Sequence, residues 1–425
     1  MSDAAPMPPS AESSADSRAP QNIRRIEYAT QVAWGDSLLA YDFGPTHPMH
    51  PGRLAMTARL CEELGLFALP RVVVVEPREA DDDELAGVHT RDYIAEVRRV
   101  SEDPAFPAPE RGLGTEDDPA FAGMHEASAR IAGGSLDAAD AILAGRAQHA
   151  VNFAGGMHHA AADRASGFCI YNDAALAIRR LLDGGLSRVV YIDTDAHHGD
   201  GTQSIFWNDP RVLTISLHES GLTLFPGTGF AHEIGGPDAL GSAVNVALPA
   251  RTGDAGWLRA FHAIVPPLVE AFEPEAIVSQ HGCDSHALDP LTNLRTSVDA
   301  QREAALTISR LAARHCDDRW LATGGGGYDV VRVVPRAWTH LVGIAAGHPV
   351  PLRTKTPGAW RDYVADAYPE RLAPGETPPE TMGDDADIWW RSWEVGFNPN
   401  DAVDRAVMAT RKEVFPLHGL DPWFD

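Results

Sequence analysis

The sequence predicts an α/β fold in which helices cover both faces of a central, mostly parallel sheet. Between about residues 26 and 347, short runs rich in β-branched residues alternate with longer stretches of helical character. The short runs lack polar–apolar alternation, which is typical of strands buried on both faces. A repeated order of strand and then helix favours parallel pairing, because each parallel connection needs a crossover that a helix can provide.

Six runs are predicted strands, and four stretches are the clearest helices between them. The predicted strands are 71–75, 149–153, 188–193, 211–217, 275–280 and 319–323. The predicted helices are 126–145, 172–184, 256–272 and 298–316. No internal repeat is visible in this order.

The two ends of the chain differ from its centre in composition. Residues 1–22 are rich in Ala, Pro, Ser and Asp, which predicts a disordered N-terminal tail. Residues 348–425 contain several prolines and the pair Trp389 and Trp390. We expect this C-terminal extension to pack on the main domain, residues 23–347, with the two tryptophans as packing anchors.

Charge and cysteine usage exclude several classes of function. The 425 residues carry a formal net charge of −25, and such an acidic surface repels nucleic acid. The four cysteines form no C-x-x-C pair, which argues against disulfides or a thiolate zinc site and favours the cytoplasm. The N-terminus has no apolar signal region, and no run approaches the roughly 18 apolar residues of a membrane helix.

Polar side chains follow four of the predicted strands where each strand ends. In open α/β sheets ligands bind beyond the carboxyl ends of the strands, so we expect these side chains to meet at one edge of the sheet. They are His158 and His159; Asp193, Asp195, His197, His198 and Asp200; His281, Asp284 and His286; and Tyr328 after four glycines.

Three of these side chains predict a metal site. Asp195 and His197 are two residues apart, so in an extended segment they point the same way, and Asp284 is able to add a third ligand from another strand. Mixed oxygen and nitrogen ligands that leave one position open are typical of catalytic zinc. A lone Asp-x-His is also common in turns and caps, and the prediction therefore depends on the other polar residues at this edge.

The adjacent histidines predict proton transfer beside that metal. Histidine exchanges protons near neutral pH, and a carboxylate on its second ring nitrogen fixes its tautomer. Asp193 and Asp200 flank the metal-binding segment at suitable places for His158 and His159. Together these residues favour metal-assisted hydrolysis with water as the nucleophile. Tyr328 is either a donor to a developing oxyanion or a buried strand-end tyrosine.

Eight motifs in this order resemble the arginase/deacetylase superfamily. The similarity is strongest to class I histone-deacetylase-like amidohydrolases, and among these to bacterial acetoin-utilisation deacetylases. It runs from about residue 24 to residue 347. The motifs are HPMHPGR (47–53), GLGTEDDP (112–119), GGMHHA (155–160), SGFCIYND (166–173), DTDAHHGDGT (193–202), TLFPGTG (223–229), GCDSHALDP (282–290) and GGGGY (324–328).

The resemblance implies an arginase-like three-layer α/β/α fold and a zinc-dependent lysine deacetylase. It assigns zinc binding to Asp195, His197 and Asp284, and general base and acid catalysis to His159. It assigns electrostatic support to His158, pairing of Asp200 with His159 and of Asp193 with His158, and a carbonyl clamp to Tyr328. The implied substrates are acetylated proteins or peptides, an acyl-CoA synthetase among them.

Further positions follow from the same resemblance. Phe168 and Phe225 would enclose the lysine stem, and Gly167 and Gly326 would line the tube. Asp117 would hold the substrate backbone at the rim, and Arg53 would lie near an inner product channel. A structural K⁺ would bind at Asp193, Asp195, His197, Ser216 and Leu217.

Several residues depart from the class I pattern and leave the substrate open. Four positions differ from the eukaryotic members, namely Met157, Cys283, His286 and Leu288. None of them is a predicted metal ligand or proton-transfer residue. A polyamine deacetylase of the same superfamily is therefore the main alternative. A ureohydrolase needs two metals and is disfavoured by Ser285, whereas a catalytically dead binding module would have lost Tyr328 or a metal ligand. The sequence leaves the oligomeric state open.

Overall fold

A single eight-stranded sheet forms the centre of the protein. The computed structural model describes residues 29–425, so the predicted tail at 1–22 lies outside the described residues. All strand pairs are parallel, in the order β2-β1-β3-β8-β7-β4-β5-β6, which confirms the predicted α/β class. The strands are β1 Thr30–Ala33, β2 Val72–Val75, β3 His149–Asn152, β4 Val189–Asp193, β5 Val212–Glu219, β6 Ala243–Leu248, β7 Ala276–Gln280 and β8 Trp320–Thr323.

Helices flank this sheet, and the four predicted ones are present. The α-helices of the described chain are α1 Gly52–Glu63, α2 Asp82–Leu85, α3 Arg91–Glu102, α4 Met124–Leu143, α5 Asp173–Asp183, α6 Asp200–Ile205, α7 Asp254–Phe272, α8 Val298–His315, α9 Val334–Ala345, α10 Gly358–Ala367 and α11 Ala402–Val414. Side-chain caps fix some starts: Asn172 accepts the Ala175 N–H at α5, and Ser297 accepts the Ala300 N–H at α8.

Two strands were not predicted, and one prediction of burial is wrong. β1 has only four residues, and in β6 the residues Ala243, Asn245 and Ala247, of types depleted in strands, alternate with the larger apolar ones. Strand 71–75 is present as β2, but it is an edge strand that pairs only with β1. Val73 is therefore 54% exposed, and the expectation that this strand is buried on both faces fails.

The topology brings the chemical residues together. β4 lies between β5 and β7, and Asp193 at its end is level with Ser216 and Gln280 of these neighbours. Because parallel strands end at the same edge, the segments after β4 and β7 are adjacent. Separate parts of the sequence, 194–200 and 281–287, thus contribute to one site.

Residues after 348 make extensive contacts with the rest of the protein. Trp360 of α10 is buried and donates its indole N–H to the Met56 carbonyl at 2.9 Å. Arg411 of α11 is buried, donates to the Ala263 carbonyl at 2.6 Å, and lies over the ring of Trp393. The boundary at residue 348 stays a prediction, since these contacts do not define separate folding units.

The two tryptophans predicted as anchors behave differently. Trp390 stacks on His262, with ring centroids 4.2 Å apart and planes 3° from parallel. Trp389 is 60% exposed, so the prediction that it anchors the extension is wrong. Adjacent residues in this irregular segment point in different directions, and only one of them reaches α7.

All four cysteines are buried free thiols. Burial raises the pKa of Cys61 to about 12, so its thiol stays protonated at neutral pH. Among the described helices, none is both long and apolar enough to cross a membrane.

Buried neutral histidines predict loss of stability in acid. His89 donates from Nδ1 to the Ala161 carbonyl at 3.1 Å and accepts the Asn172 N–H at Nε2 at 3.0 Å, and burial lowers its pKa to about 4. Below about pH 6.5 the unfolded chain therefore binds a proton that the folded protein does not. We expect His89→Gln to reduce the loss of unfolding free energy between pH 7 and 4.5 by about 2–3 kcal/mol.

Urea titrations at both pH values measure this difference. The exposed His348 provides the matched control, and His348→Gln should leave the difference unchanged. An equal loss in wild type and His89→Gln would contradict the assignment of His89 as a buried neutral group.

Candidate active site

A cavity of about 220 Å³ opens at the carboxyl edge of the sheet. Five predicted site residues line it together with His159 and His197: Asp117, Gly167, Phe168, Phe225 and Tyr328. Phe168 and Phe225 supply most of its aromatic wall, the buried His159 and His197 lie deeper, and Asp117 is exposed at the outer end. The cavity is therefore a tube with apolar walls and polar groups at its inner end.

The three predicted metal ligands meet at that inner end. Asp195, His197 and Asp284 each offer one ligand atom, and these atoms lie within 4.8 Å of one another. His197 Nδ1 is 3.0 Å from Asp195 Oδ1 and 3.0 Å from Asp284 Oδ2. Both carboxyl side chains are completely buried, so the three groups face one another without solvent between them.

Neighbouring donors hold the two carboxylates in place. Asp195 Oδ2 accepts from the Gln280 side chain at 2.7 Å and from the Gly326 N–H at 2.9 Å, and Asp284 Oδ1 accepts the Ala196 N–H at 2.7 Å. A Cβ on Gly326 would lie 2.1 Å from Asp284 Oδ2. Gly326 thus allows the backbone to approach the ligands closely, behind the cavity wall.

The electrostatics of this set fit a cation. Burial, together with the charge of Asp195, raises the pKa of Asp284 to about 6. Two buried carboxylates repel each other unless positive charge lies between them. Two oxygens and one imidazole nitrogen are also a ligand set typical of zinc with an open position. The residues present therefore fit a divalent metal ion.

The two adjacent histidines have different electrostatic surroundings. His158 donates from Nδ1 to Asp193 at 2.8 Å, and although burial lowers its pKa, the charges of Asp193 and Asp195 raise it to about 9. His159 donates from Nδ1 to Asp200 at 2.7 Å, and burial together with His158 lowers its pKa to about 4. These are the pairings that the resemblance implies. A charged and a neutral imidazole thus lie side by side, with ring centroids 4.0 Å apart.

Tyr328 keeps its phenolic proton at neutral pH. Burial and the charges of Asp284 and Asp195 raise its pKa well above the usual range. Its ring meets Phe168 edge to face at 5.7 Å, and its backbone N–H donates to Asp289 Oδ2 at 2.9 Å. The phenol is therefore a fixed hydrogen-bond donor beside the metal-ligand set.

A strained turn directs Phe168 into the tube. Phe168 has φ +68°, which is an unusual value for a bulky residue, and it follows Gly167, whose φ is +54°. The Tyr41 hydroxyl donates to the Phe168 carbonyl at 2.7 Å. Tyr41 therefore stabilises the turn, and sequence reasoning missed it because it belongs to no chemical motif.

Arg53 supports the back of the glycine run. It is buried, donates from Nη1 to the carbonyls of Gly325 at 3.0 Å and Gly327 at 3.2 Å, and lies over the Trp338 ring. It therefore fixes the segment that carries Gly326 and Tyr328. An inner product channel at this arginine stays a prediction.

The residues expected to bind potassium lie together at the ends of two strands. Asp193, Asp195 and His197 are at or just beyond the end of β4, and Ser216 and Leu217 lie on the neighbouring β5. Asp193 is level with Ser216 in the sheet. This proximity is compatible with a shared cation site, which stays a prediction.

The C-terminal extension reaches the loop that carries Asp284. His286, two residues beyond Asp284, lies 3.0 Å from Asp384 Oδ2, and the buried Arg336 pairs with the other carboxylate oxygen at 2.8 Å. Asp384 Oδ2 also accepts the Val298 N–H at 2.8 Å, at the start of α8. The sequence separation of 98 residues explains why no local pattern revealed this link.

Comparison with known proteins is consistent with this geometry. Residues 47–345 match the model of the histone deacetylase domain. The acetoin utilization protein AcuC of Bacillus subtilis (strain 168) is 42% identical over 352 residues, covering 79% of this chain and 90% of the relative. AcuC of Staphylococcus xylosus is 39% identical over 352 residues (82% and 91%), and AcuC of Staphylococcus aureus (strain MRSA252) 39% over 350 residues (80% and 89%).

Metal binding should stabilise the folded protein. Zn²⁺ relieves the repulsion between Asp195 and Asp284 only when the chain is folded, so a free concentration 100 times Kd adds about 2.7 kcal/mol. We expect Zn²⁺ to raise the melting temperature of chelator-treated protein and to have little effect on Asp284→Asn. Asp83→Asn, at an exposed position, should respond like wild type. An equal response of Asp284→Asn would place the metal elsewhere.

Removing the Asp384 contact should weaken metal binding without changing a ligand. Asp384→Asn removes the charge that pairs with His286 and Arg336, so the loop of Asp284 is held less firmly. Loss of such outer contacts typically costs tenfold or more in metal affinity, and we expect about tenfold here. Competition with a chromophoric chelator measures the change, with Asp385→Asn as the matched control. Unchanged affinity together with lower stability would limit Asp384 to a structural role.

Proposed function

The chain belongs to the histone deacetylase family, and we propose that it is a zinc-dependent deacetylase that hydrolyses the acetyl amide of acetyl-lysine in proteins. One observation carries the proposal. The metal-ligand set, the His159–Asp200 pair and Tyr328 meet at the inner end of a narrow tube between Phe168 and Phe225.

The tube selects a neutral, extended side chain. Phe168 and Phe225 offer apolar faces to the four methylene groups of lysine, whereas a charged ammonium would lose its hydration there. An acetylated lysine has no such charge, and its amide is polar only at the far end. The apolar wall and the polar inner end thus match the stem and the amide of an acetylated lysine.

Proton transfer is the task of the His159–Asp200 pair. Because Nδ1 of His159 donates to Asp200, its Nε2 is free to take a proton from the attacking water. The carboxylate of Asp200 stabilises the imidazolium that forms. The same Nε2 then gives the proton to the leaving lysine amine, so that acetate and free lysine result. His158, held by Asp193, keeps positive charge next to this reaction.

The metal and Tyr328 stabilise the charge that develops on the amide oxygen. Zn²⁺ held by Asp195, His197 and Asp284 would supply Lewis-acid polarisation and lower the pKa of a bound water. The phenol of Tyr328 donates a hydrogen bond to the oxygen as its negative charge grows. Asp117 at the rim is placed to accept a backbone N–H of the substrate.

The protein substrate and a bound potassium ion are part of the same proposal. The matching relatives are named acetoin utilization proteins, and an acyl-CoA synthetase of the cytoplasm is the substrate we propose in that context. K⁺ at Asp193, Asp195, His197, Ser216 and Leu217 would neutralise buried charge near the zinc ligands.

A polyamine deacetylase is the second candidate. The exposed Asp117 lines the cavity, and a net charge of −25 attracts polycations. Acetylspermidine also presents an acetylated amine on a methylene chain. The two candidates share their chemistry and differ only in what lies outside the tube.

Parallel assays with zinc-loaded protein separate the two. We expect an acetyl-lysine peptide to be hydrolysed and acetylspermidine to be turned over poorly. His159→Ala should lower kcat by about 10²–10⁴-fold, because proton transfer is lost while the tube stays intact. Acetate release measured by a coupled assay reports both substrates.

Tyr328→Phe is the companion variant, since it removes one donor and keeps the ring. It should lower kcat by about 10²–10³-fold with a small change in KM. Hydrolysis of acetylspermidine alone would move the function to polyamines. Full activity of His159→Ala would refute the proton-transfer assignment.

A further inference from the structure

Large apolar side chains are exposed to solvent on the two loops that contribute Leu224, Phe225 and Leu291 to the wall of the tube. Leu222 is 83% exposed, Leu288 44%, Phe225 42% and Leu291 37%. We call these four residues the apolar collar. They lie on two loops, 220–229 and 286–293. Clustered exposed apolar groups are typical of surfaces that a partner covers.

The two loops of the collar are tied together by a buried carboxylate. Glu219 is 2% exposed and accepts hydrogen bonds from the Asn293 N–H at 2.8 Å, the Asn293 side chain at 2.9 Å and the Thr223 hydroxyl at 2.8 Å. Residue 293 ends one loop, and Thr223 lies within the other. The collar is therefore held in a defined arrangement before any partner binds, which lowers the entropic cost of binding.

The collar is also connected to the reacting end of the tube. Asp289 accepts the Leu291 N–H at 2.9 Å through one oxygen and the Tyr328 N–H at 2.9 Å through the other. Phe225 and Leu291 line the same cavity as Tyr328. The loop that carries Leu288 and Leu291 is thus hydrogen-bonded to the backbone of a residue whose side chain lines the tube.

We propose that the collar binds an apolar side chain next to the acetyl-lysine in a protein substrate. This inference rests on the proposed deacetylase function and specifies its substrate. A leucine-like neighbour would cover part of Leu222 and Leu288 and remove apolar surface from water on both sides. The occupant is therefore an acetylated segment with an apolar residue beside its lysine.

The chemistry of the collar disfavours a polyamine. Outside the tube, a polyamine has only methylene groups interrupted by ammonium groups at short intervals. Each ammonium group would lose hydration against the leucines without a partner on the collar. The overall acidic charge attracts polyamines to the protein, but it does not compensate for this local mismatch.

Four acetylated probes test the collar with zinc-loaded protein. Three are peptides with the sequence Gly-X-acetyl-Lys-X-Gly, in which X is Leu, Ser or Lys, and the fourth is acetyl-lysine methylamide, which has no neighbours. We expect kcat/KM to be about five- to tenfold higher for the Leu peptide than for the Ser peptide, as partial burial of a leucine allows. The Lys peptide should not exceed the Ser peptide.

Collar variants assign the preference to the residues. Leu222→Ser and Leu288→Ser should each reduce the Leu-to-Ser ratio of kcat/KM, and the double variant should bring it close to one. Leu240 is 59% exposed and lies outside both loops, so Leu240→Ser should keep the wild-type ratio. The ratio is measured within each variant, so a general loss of activity does not affect it.

Other outcomes overturn the inference in distinguishable ways. Equal kcat/KM for the Leu and Ser peptides, with good turnover of the methylamide, would refute the collar and leave the deacetylase intact. Failure of all four probes would refute the proposed function itself. Sedimentation of wild type as a dimer that Leu222→Ser converts to a monomer would show that a second copy covers the collar, and would also overturn the inference.

Discussion

The mutual repulsion of two buried carboxylates is the constraint on which the rest of the site depends. The side chains of Asp195 and Asp284 are completely buried and face one imidazole. The N–H groups of Ala196, Gly326 and Gln280 hold the two carboxylates in place. A divalent cation would offset their repulsion, and burial together with the charges of the two carboxylates raises the pKa of Tyr328, so that one arrangement of charge fits both a metal site and a protonated phenol.

The polar residues of the candidate site were predictable from the sequence because they lie directly at the ends of strands. Asp195, His197 and Asp284 follow buried β-branched runs, and the parallel topology converts that position into proximity. The specific pairs His158–Asp193 and His159–Asp200 came from the family resemblance, since strand-end position alone did not assign each carboxylate to one histidine. The strands that were missed, β1 and β6, carry no such residues. β1 has only four residues, and in β6 two alanines and one asparagine separate the larger apolar residues, so neither strand contains a continuous β-branched run.

The contacts that hold the site residues in place were not predictable, because they form between segments that are distant in the sequence. Tyr41 reaches Phe168 across 127 residues, and Asp384 reaches His286 across 98. Neither residue has a neighbour in sequence that suggests its role, and both stabilise conformations that only the folded protein defines. The exposure of Trp389 has the same origin: the direction of a side chain in an irregular segment is set by what it packs against, and local sequence does not contain this information.

The residues proposed to carry the reaction and those proposed to select the substrate lie in different parts of this fold for a physical reason. The metal ligands and the histidine pairs lie at strand ends, where the sheet holds atoms to within hydrogen-bond tolerance, and a change there disturbs the reaction itself. Leu222 and Leu288 lie on loops, where a substitution changes what the surface contacts without moving the strands. Glu219 and Asp289 join separate segments, since each is buried and accepts hydrogen bonds from two of them: Thr223 and Asn293 for Glu219, Leu291 and Tyr328 for Asp289. Under the proposed function, substrate preference would therefore be free to vary at the collar while the site beneath it stays fixed.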